Sequence, residues 1–128
     1  MCLLDGVLEW TDANIVCQAS SHTDPGHPLR AHGRLGAATG VEYAAQAMAV
    51  HGALLAPAQE HQPQGYLTSV RGLTLHVDRL DDLAGPLRVS AERLSADTRL
   101  ALYQFQIYHE NRRLLEGRVS VVLDAHTL

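Results

Sequence analysis

The sequence contains one clear helix, which limits the number of folds that the chain can adopt. From Gly40 to Ala56, apolar side chains recur at helical spacing and alanine is abundant. Alanine and glycine lie on nearly every side of this segment, which predicts a helix buried almost all round, ended by Pro57. A chain of 128 residues, of which 46% are hydrophobic, can bury one core but not two. We therefore expect a single domain over residues 1–128.

The segments on either side of this helix have the pattern of β-strands. The predicted strands are Leu3–Trp10, Ile15–Ala19, Gly65–Leu75, Leu87–Leu94, Leu100–Tyr108 and Leu114–Leu123. One helix cannot cover both faces of a sheet of that size. We therefore expect an α+β architecture, in which an antiparallel sheet wraps around one central helix. The remaining edges or faces would be closed by a second copy, so a dimer is expected.

A long polar segment lies between the second predicted strand and the helix. From Ser20 to Ala38, serine, histidine, proline and glycine dominate and hydrophobic periodicity disappears, which predicts a loop. Loops of this length are uncommon in compact domains and are often functional. This one contains His22, His27 and His32.

Charge and hydropathy patterning exclude several classes of function. The formal net charge is −4, and no basic stripe is present that could neutralise a phosphate backbone, so no nucleic acid is expected. A local basic patch could still dock an acidic carrier protein. No apolar run approaches the ~20 residues of a membrane span and no charged-then-apolar leader is present, so a cytoplasmic protein without membrane contact is expected. The first predicted strand begins almost at Met1, which leaves open a longer native N-terminus.

Cysteine and histidine spacing gives no indication of a metal site. Cys2 and Cys17 lack the spacing of metal ligands and are predicted to be buried, reduced thiols. The chain has eight histidines, but none shows His-x-x-x-His spacing on a helix. Neither a metal nor another cofactor is expected.

The most specific pattern lies at the junction of the loop and the helix. It consists of His27-Pro28, then Leu35-Gly36-Ala37-Ala38-Thr39-Gly40-Val41-Glu42-Tyr43-Ala44-Ala45-Gln46-Ala47. This pattern resembles the hot-dog-fold 3-hydroxyacyl-ACP dehydratases of fatty-acid synthesis. In that family a loop histidine precedes a central helix with an acidic residue, often followed four residues later by glutamine. The fit is closest to the branch associated with aryl-polyene and related lipid pathways, and the resemblance covers nearly the whole chain.

The resemblance implies a role for four residues. His27 would be the base that removes the α-proton, since a neutral imidazole with a pKa of ~6.5 suits this step. Glu42 would act as the acid or would orient the leaving hydroxyl, and Gln46 would support the site. The Ala37 amide, at the helix N-terminus, would meet the thioester carbonyl. The substrate would be carried by acyl carrier protein or CoA. The histidine and the acid of one site would come from different subunits of a homodimer, with higher assembly left open.

Other histidines remain alternatives for the base. The separation of His27 from Glu42 is one residue longer than is usual in the family, so His22 or His32 could take the place of His27. His51 lies deeper in the helix and is expected to be a core or interface residue.

Two other functions also fit the fold. An acyl thioesterase would use a carboxylate to activate water, and a non-catalytic acyl-binding subunit would serve within a larger synthase dimer. A loop histidine followed by a helix acid favours dehydration over both. Tyr66 and Arg71 could line an acyl tunnel or meet a phosphopantetheine, but strand packing for Tyr66 and a surface charge for Arg71 are favoured.

Overall fold

The computed structural model describes residues 2–56 and 64–124, with side chains for 2–56 and 67–122. Its elements are β1 (Gly6–Trp10), β2 (Asn14–Ala19), two 3₁₀ turns (Ser21–Thr23 and Ala37–Thr39), α1 (Gly40–Leu55), β3 (Gln64–Leu75), β4 (Leu87–Ala96), β5 (Leu100–His109) and β6 (Arg112–Asp124). The predicted helix and the predicted strands are all present. The largest difference is at the start, where β1 begins at Gly6 and not at Leu3. The predicted stop at Pro57 lies outside the described residues.

All of these strands form one antiparallel sheet in the order β1-β2-β4-β5-β6-β3. The chain leaves β2, forms the loop and α1, and then returns as β3 at the opposite edge, beside β6. Because β3 is an edge strand of 12 residues, it has a long free edge in a single chain. Leu67, Leu73 and Leu75 on this strand are exposed. Such an edge is a template for pairing with another chain.

Helix α1 packs into the curve of the sheet, against β2, β4 and β5. Its buried side chains form one face and are Tyr43, Ala44, Ala47, Met48 and His51. The opposite face is open, with Glu42, Ala49 and Ala53 exposed. The expectation of burial all round is therefore wrong for a single chain, because the sheet covers α1 from one side only.

The start of α1 lies unusually close to the sheet. A Cβ atom added to Gly40 would lie 2.7 Å from Leu115 Cδ1 on β6 and 3.1 Å from Ile107 Cδ1 on β5. The side chains of Leu115 and Ile107 are both fully buried. Glycine is therefore the residue that lets the helix N-terminus pack directly on these strands.

The environments of the two cysteines differ. Cys17 on β2 is buried, as expected. The expectation of burial is wrong for Cys2, which precedes the sheet and is exposed, with its thiol in contact with the Leu4 carbonyl. Both are free thiols. Within residues 2–56 and 64–124, no helix is long and apolar enough to cross a membrane.

Candidate active site

His27 is buried although it lies in a polar loop, with 4% of its surface exposed. A tight turn directs it inward. The Asp24 carboxylate accepts a hydrogen bond from the Gly26 amide at 2.8 Å, and the Asp24 carbonyl accepts one from the His27 amide at 3.1 Å. The His27 carbonyl in turn accepts a hydrogen bond from the Arg30 amide. This local hydrogen bonding fixes the backbone around the imidazole.

Both ring nitrogens of His27 have partners within the chain. Nδ1 lies 3.1 Å from the amide nitrogen of Leu29, and Nε2 lies 3.0 Å from the hydroxyl of Tyr43 on α1. The rings of His27 and Tyr43 are stacked, with centroids 6.1 Å apart. Since a backbone amide can only donate, Nδ1 is the acceptor, and in the neutral ring the proton is on Nε2. His27 therefore donates to Tyr43.

The hydrogen bonding continues from Tyr43 to the N-terminal segment. The Tyr43 hydroxyl lies 2.7 Å from Ser21 Oγ, and Ser21 donates its own proton to the Leu3 carbonyl at 2.8 Å. Tyr43 must therefore donate to Ser21. The Leu3 amide donates to Gln46 Oε1 at 2.8 Å. Gln46, predicted as support for the site, thus holds the segment whose carbonyl ends the network that starts at His27.

The environment favours the neutral forms of both rings. Burial lowers the pKa of His27; Asp24 raises it and Arg30 lowers it by smaller amounts. Burial raises the pKa of Tyr43, and its hydrogen bond with Ser21 partly opposes this. A neutral imidazole can accept a proton, so His27 has the protonation state that a general base needs.

Glu42 lies on the open face of α1 and not beside His27. Its neighbour Tyr43 points into the core, and successive side chains on a helix diverge by about 100°. Among the described residues, no hydrogen bond or ion pair joins Glu42 to His27. The carboxylate shares its exposed stripe with Ala49 and Ala53. A single chain thus does not bring the predicted base and acid together.

The predicted oxyanion donor is already occupied. The Ala37 amide donates to the Asp78 carbonyl at 3.0 Å, and the adjacent Gly36 forms a β-bridge with Arg79. In this chain the Ala37 amide is thus bonded to the segment after β3 and is not free to meet a thioester carbonyl. Ala38, the next residue, is exposed at the same helix entry.

The alternative loop histidines have other surroundings. His22 is fully buried, and its Nε2 lies 2.8 Å from the Leu83 carbonyl, to which it donates. Its Nδ1 has no hydrogen-bond partner among the described residues, and burial lowers its pKa. His32 is exposed in a turn, with a φ of 55°. Neither is joined to α1 as His27 is.

His51 is a core residue, in agreement with the sequence. It is fully buried on α1, with Nδ1 2.7 Å from the Tyr103 hydroxyl on β5 and Nε2 2.8 Å from the Thr11 carbonyl. Arg71 is exposed, as a surface charge would be. The Tyr66 side chain lies outside the described residues.

Asp81 is a fixed point that the sequence pattern does not indicate. Its carboxylate accepts hydrogen bonds from the Arg79 guanidinium and, at 2.9 Å, from the Leu35 amide; Arg30 lies 3.7 Å away. The hydrogen bond from Arg79, then that from Leu35, holds the pKa of Asp81 well below its usual range. Asp81 thereby ties both ends of the segment from Arg30 to Leu35 to the loop after β3.

A groove of about 550 Å³ borders the helix entry, and Asp78 and Arg79 are among its lining residues. The same two residues contact the entry: Asp78 accepts a hydrogen bond from the Ala37 amide, and Arg79 forms a β-bridge with Gly36. Its basic side chains are Arg34, Arg79 and Arg112, and Asp82 also lines it. Within the described ranges, no group of three or more His, Cys, Asp or Glu side chains is arranged to hold a metal ion.

Comparison with solved structures establishes the fold. The chain is similar to the dehydratase heterocomplex ApeI:P from Xenorhabdus doucetiae, with 21% identity over 95% of this chain and 82% of that one, at a TM-score of 0.79. It is also similar to thioesterase HI1161 from Haemophilus influenzae, with 14% identity over 91% of this chain and 76% of that one (TM-score 0.66). A hypothetical thioesterase with coenzyme A from Streptococcus pneumoniae gives 13% identity over 91% and 83% (TM-score 0.66). The expected hot-dog fold is confirmed.

Sequence comparison separates the dehydratases from the thioesterases. Comparison with curated proteins gave no match. The sequence model of the family described as "ApeP-like: ApeP dehydratase", however, matches residues 1–127. Because this match spans nearly the whole chain, the expectation of a dehydratase, a hydro-lyase, is confirmed, and the chain belongs to the ApeP-like dehydratase family.

Proposed function

We propose that the chain dehydrates a 3-hydroxyacyl thioester carried by acyl carrier protein, with His27 as the base and Glu42 of a second subunit as the acid. The observation that carries this proposal is a buried imidazole, its pKa lowered by burial, at the entry to the helix that bears Glu42. A polar loop rarely buries a histidine unless it holds it in place by specific hydrogen bonds. This loop does so through Asp24 and Tyr43.

The base has to remove a proton from the carbon next to the thioester carbonyl. His27 would take this proton and become an imidazolium, and the electron pair left on the carbon would be delocalised onto the thioester oxygen. The developing oxyanion needs a donor. With the Ala37 amide occupied, the Ala38 amide is the candidate, because the residue is exposed and the first amides of a helix have no acceptor within it.

The leaving hydroxide needs a proton, and Glu42 is the candidate donor. In one chain its face of α1 is open, flanked by Ala49 and Ala53. Coverage of this small-residue stripe by a second subunit would enclose the carboxyl in a partly apolar cleft. Such a cleft favours the protonated form that can assist the departure of the hydroxyl.

The second subunit would be another copy of this chain. The free edge of β3, with three exposed leucines, and the open face of α1 are the surfaces that a partner would cover. The relative from Xenorhabdus doucetiae is a heterocomplex, so a different dehydratase subunit is the alternative partner. Sedimentation of the purified chain alone distinguishes the two: a dimer supports the homodimer, and a monomer supports a heterocomplex.

The groove beside the helix entry is the candidate docking site for the carrier. Acyl carrier proteins are acidic, and Arg34 and Arg112 line this groove. Arg34→Glu and Arg112→Glu should raise the KM for an ACP-linked substrate and leave that for the free pantetheine thioester unchanged. Equal effects on both substrates would contradict docking at this groove.

The proposed reaction is tested with a 3-hydroxyacyl-ACP, by following enoyl-thioester formation and free-thiol release together. His27→Ala and Glu42→Ala should abolish enoyl formation. The matched controls are His32→Ala, an exposed histidine of the same loop, and Glu92→Ala, an exposed acid on β4; both should retain it. If the purified chain is a monomer, the assay is run on the complex with its partner subunit.

The other outcomes assign the alternative functions. Free thiol without enoyl product would indicate a thioesterase. Neither product, across short and medium acyl chains, would indicate a non-catalytic subunit.

A further inference from the structure

The hydrogen bonds around His27 run in one direction. The Leu29 amide donates to Nδ1, Nε2–H donates to Tyr43, Tyr43 donates to Ser21, and Ser21 donates to the Leu3 carbonyl. This series of hydrogen bonds begins at a backbone N–H, which can only donate, and ends at a backbone C=O, which can only accept. The polarity of every hydrogen bond between them is therefore set.

The opposite tautomer of His27 would break this order. With the proton on Nδ1, the Leu29 amide would face a second donor, and Nε2 would need a proton from the Tyr43 hydroxyl. Tyr43 could then no longer donate to Ser21, whose own proton is already given to Leu3. Unmade hydrogen bonds are costly at buried sites, and Tyr43 is fully buried and His27 nearly so.

Proton uptake by His27 would disturb this network very little. The imidazolium has protons on both nitrogens, so Nε2–H still donates to Tyr43 exactly as it does in the neutral ring. Only the contact of Leu29 with Nδ1 has to be released. A hydrogen bond from a charged donor is also stronger than one from a neutral donor, so Tyr43 stabilises the charged ring more than the neutral one.

We infer that Tyr43 is a positioning residue for His27: the Leu29 amide sets the tautomer, and the Tyr43 hydroxyl holds Nε2–H and stabilises the imidazolium that forms when the ring takes up the substrate proton. This inference rests on the proposed role of His27 as the base. Tyr43 is fully buried, so its hydroxyl acts through the imidazole and does not contact substrate. Ser21 and Leu3 extend the same function, and Gln46 fixes Leu3.

The tautomer can be measured without any assay of activity. In ¹⁵N-labelled wild-type protein, at a pH where His27 is neutral, long-range ¹H–¹⁵N correlation should show the proton on Nε2. In Tyr43→Phe, which removes the hydroxyl acceptor and keeps the ring, the Leu29 amide still donates to Nδ1, so the proton should stay on Nε2. A proton on Nδ1 in the wild type would overturn the inference. The measurement needs only the wild-type chain, so it stands even if a variant fails to fold.

Kinetics test the positioning role. Tyr43→Phe should lower kcat about tenfold with little change in KM, because a hydrogen bond to a charged group is lost as the imidazolium forms. The acid limb of the pH profile should move to lower pH. The other ionisable groups near His27 are Asp24 and Arg30 of its own loop, and they are unchanged in this variant. Ser21→Ala, one step further away, should give a smaller change in the same direction.

The matched control is Tyr103→Phe, which removes the hydroxyl bonded to His51 at 2.7 Å in the other buried pair. It should leave the pH profile and the His27 tautomer unchanged. Wild-type kcat and pH profile in Tyr43→Phe, with His27→Ala inactive, would overturn the positioning role and leave the proposed function intact. Activity retained in His27→Ala would instead overturn the proposed function itself.

Discussion

The described part of the chain contains two buried histidine–tyrosine pairs, and their hydrogen bonds have opposite polarity. In the core pair, His51 Nε2–H donates to the Thr11 carbonyl, so Nδ1 accepts from the Tyr103 hydroxyl. In the loop pair, Nδ1 of His27 accepts from a backbone amide, so Nε2–H donates to Tyr43. The same residue types are thus held in the same tautomer, but the tyrosine is a donor in one pair and an acceptor in the other.

The direction of the histidine–tyrosine hydrogen bond determines how each pair responds to proton uptake by its histidine. Proton uptake by His51 would place a proton on Nδ1, where Tyr103 now donates, so that hydrogen bond would have to reverse. Proton uptake by His27 leaves its bond to tyrosine unchanged. The core pair also joins α1 to β5 and to the turn after β1, whereas the loop pair joins a loop to the helix entry beside Glu42. We therefore assign the core pair to stability and the loop pair to chemistry.

The largest effect should come from replacing the histidine of the loop pair. His27→Gln removes the proposed base, and loss of a general base typically costs about 10²–10⁴-fold in rate. Enoyl formation measured on the folded protein should fall by that factor, while the unfolding midpoint moves little by comparison. His51→Gln, with the same substitution in the core pair, should retain its rate per folded molecule. Equal losses of rate in the two variants would remove the distinction between the pairs.

The core pair should dominate stability. His51→Ala leaves a cavity and removes the partners of the Thr11 carbonyl and the Tyr103 hydroxyl, which together should cost about 3 kcal/mol or more. Denaturant unfolding measures this change in the free energy of unfolding. His32→Ala, at an exposed position in the loop, is the control and should change it by less than about 0.5 kcal/mol. A stable His51→Ala protein would show that the core pair contributes little.

Gly40 is the first residue of α1 and lies three residues before Tyr43 of the loop pair. An added methyl group would meet Leu115 at 2.7 Å, and overpacking of this kind costs about 1–3 kcal/mol, more than alanine gains in helix propensity. Gly40→Ala should therefore lower the unfolding midpoint. It should also lower enoyl formation, since the displaced first turn carries Tyr43. Gly6→Ala, where an added Cβ meets nothing within 4 Å, is the control.

The strands and the helix can be predicted from the sequence because their signals are local. Alternating side chains mark β4 and β5, and alanine at helical spacing marks α1. The burial of α1 could not be predicted. Alanine suits a face packed on the sheet and a face left for a partner equally well, so composition does not distinguish Ala44, which is buried, from Ala53, which is exposed.

The residue types of the candidate site come from the sequence motif, but their contacts could not be predicted from it. The motif gives His27 and Glu42, yet the bond from His27 to Tyr43 depends on the path of the loop, set by the turn at Asp24. The hydrogen bond of the Ala37 amide depends on Asp78, a residue from beyond β3. Pairing between segments so far apart leaves no trace in local periodicity.

The smallest effect concerns the pH dependence of the free energy of unfolding, to which the loop pair contributes through His27. Burial lowers the pKa of His27, and that of His22, from the ordinary 6.5. Around and below pH 6.5 the unfolded chain therefore binds more protons than the folded one. As the pH decreases, the free energy of unfolding decreases by at most about 1.4 kcal/mol per pH unit for each histidine. The loss ends below the lowered pKa values. Urea unfolding at pH values between about 7.5 and 5.5 measures the slope, because this range spans the ordinary pKa of histidine. His27→Gln should reduce this slope. An unchanged slope in His27→Gln would mean that His27 takes up its proton as readily in the folded protein as in the unfolded chain, and the loop pair would then lack the enclosure that distinguishes it from an ordinary surface histidine.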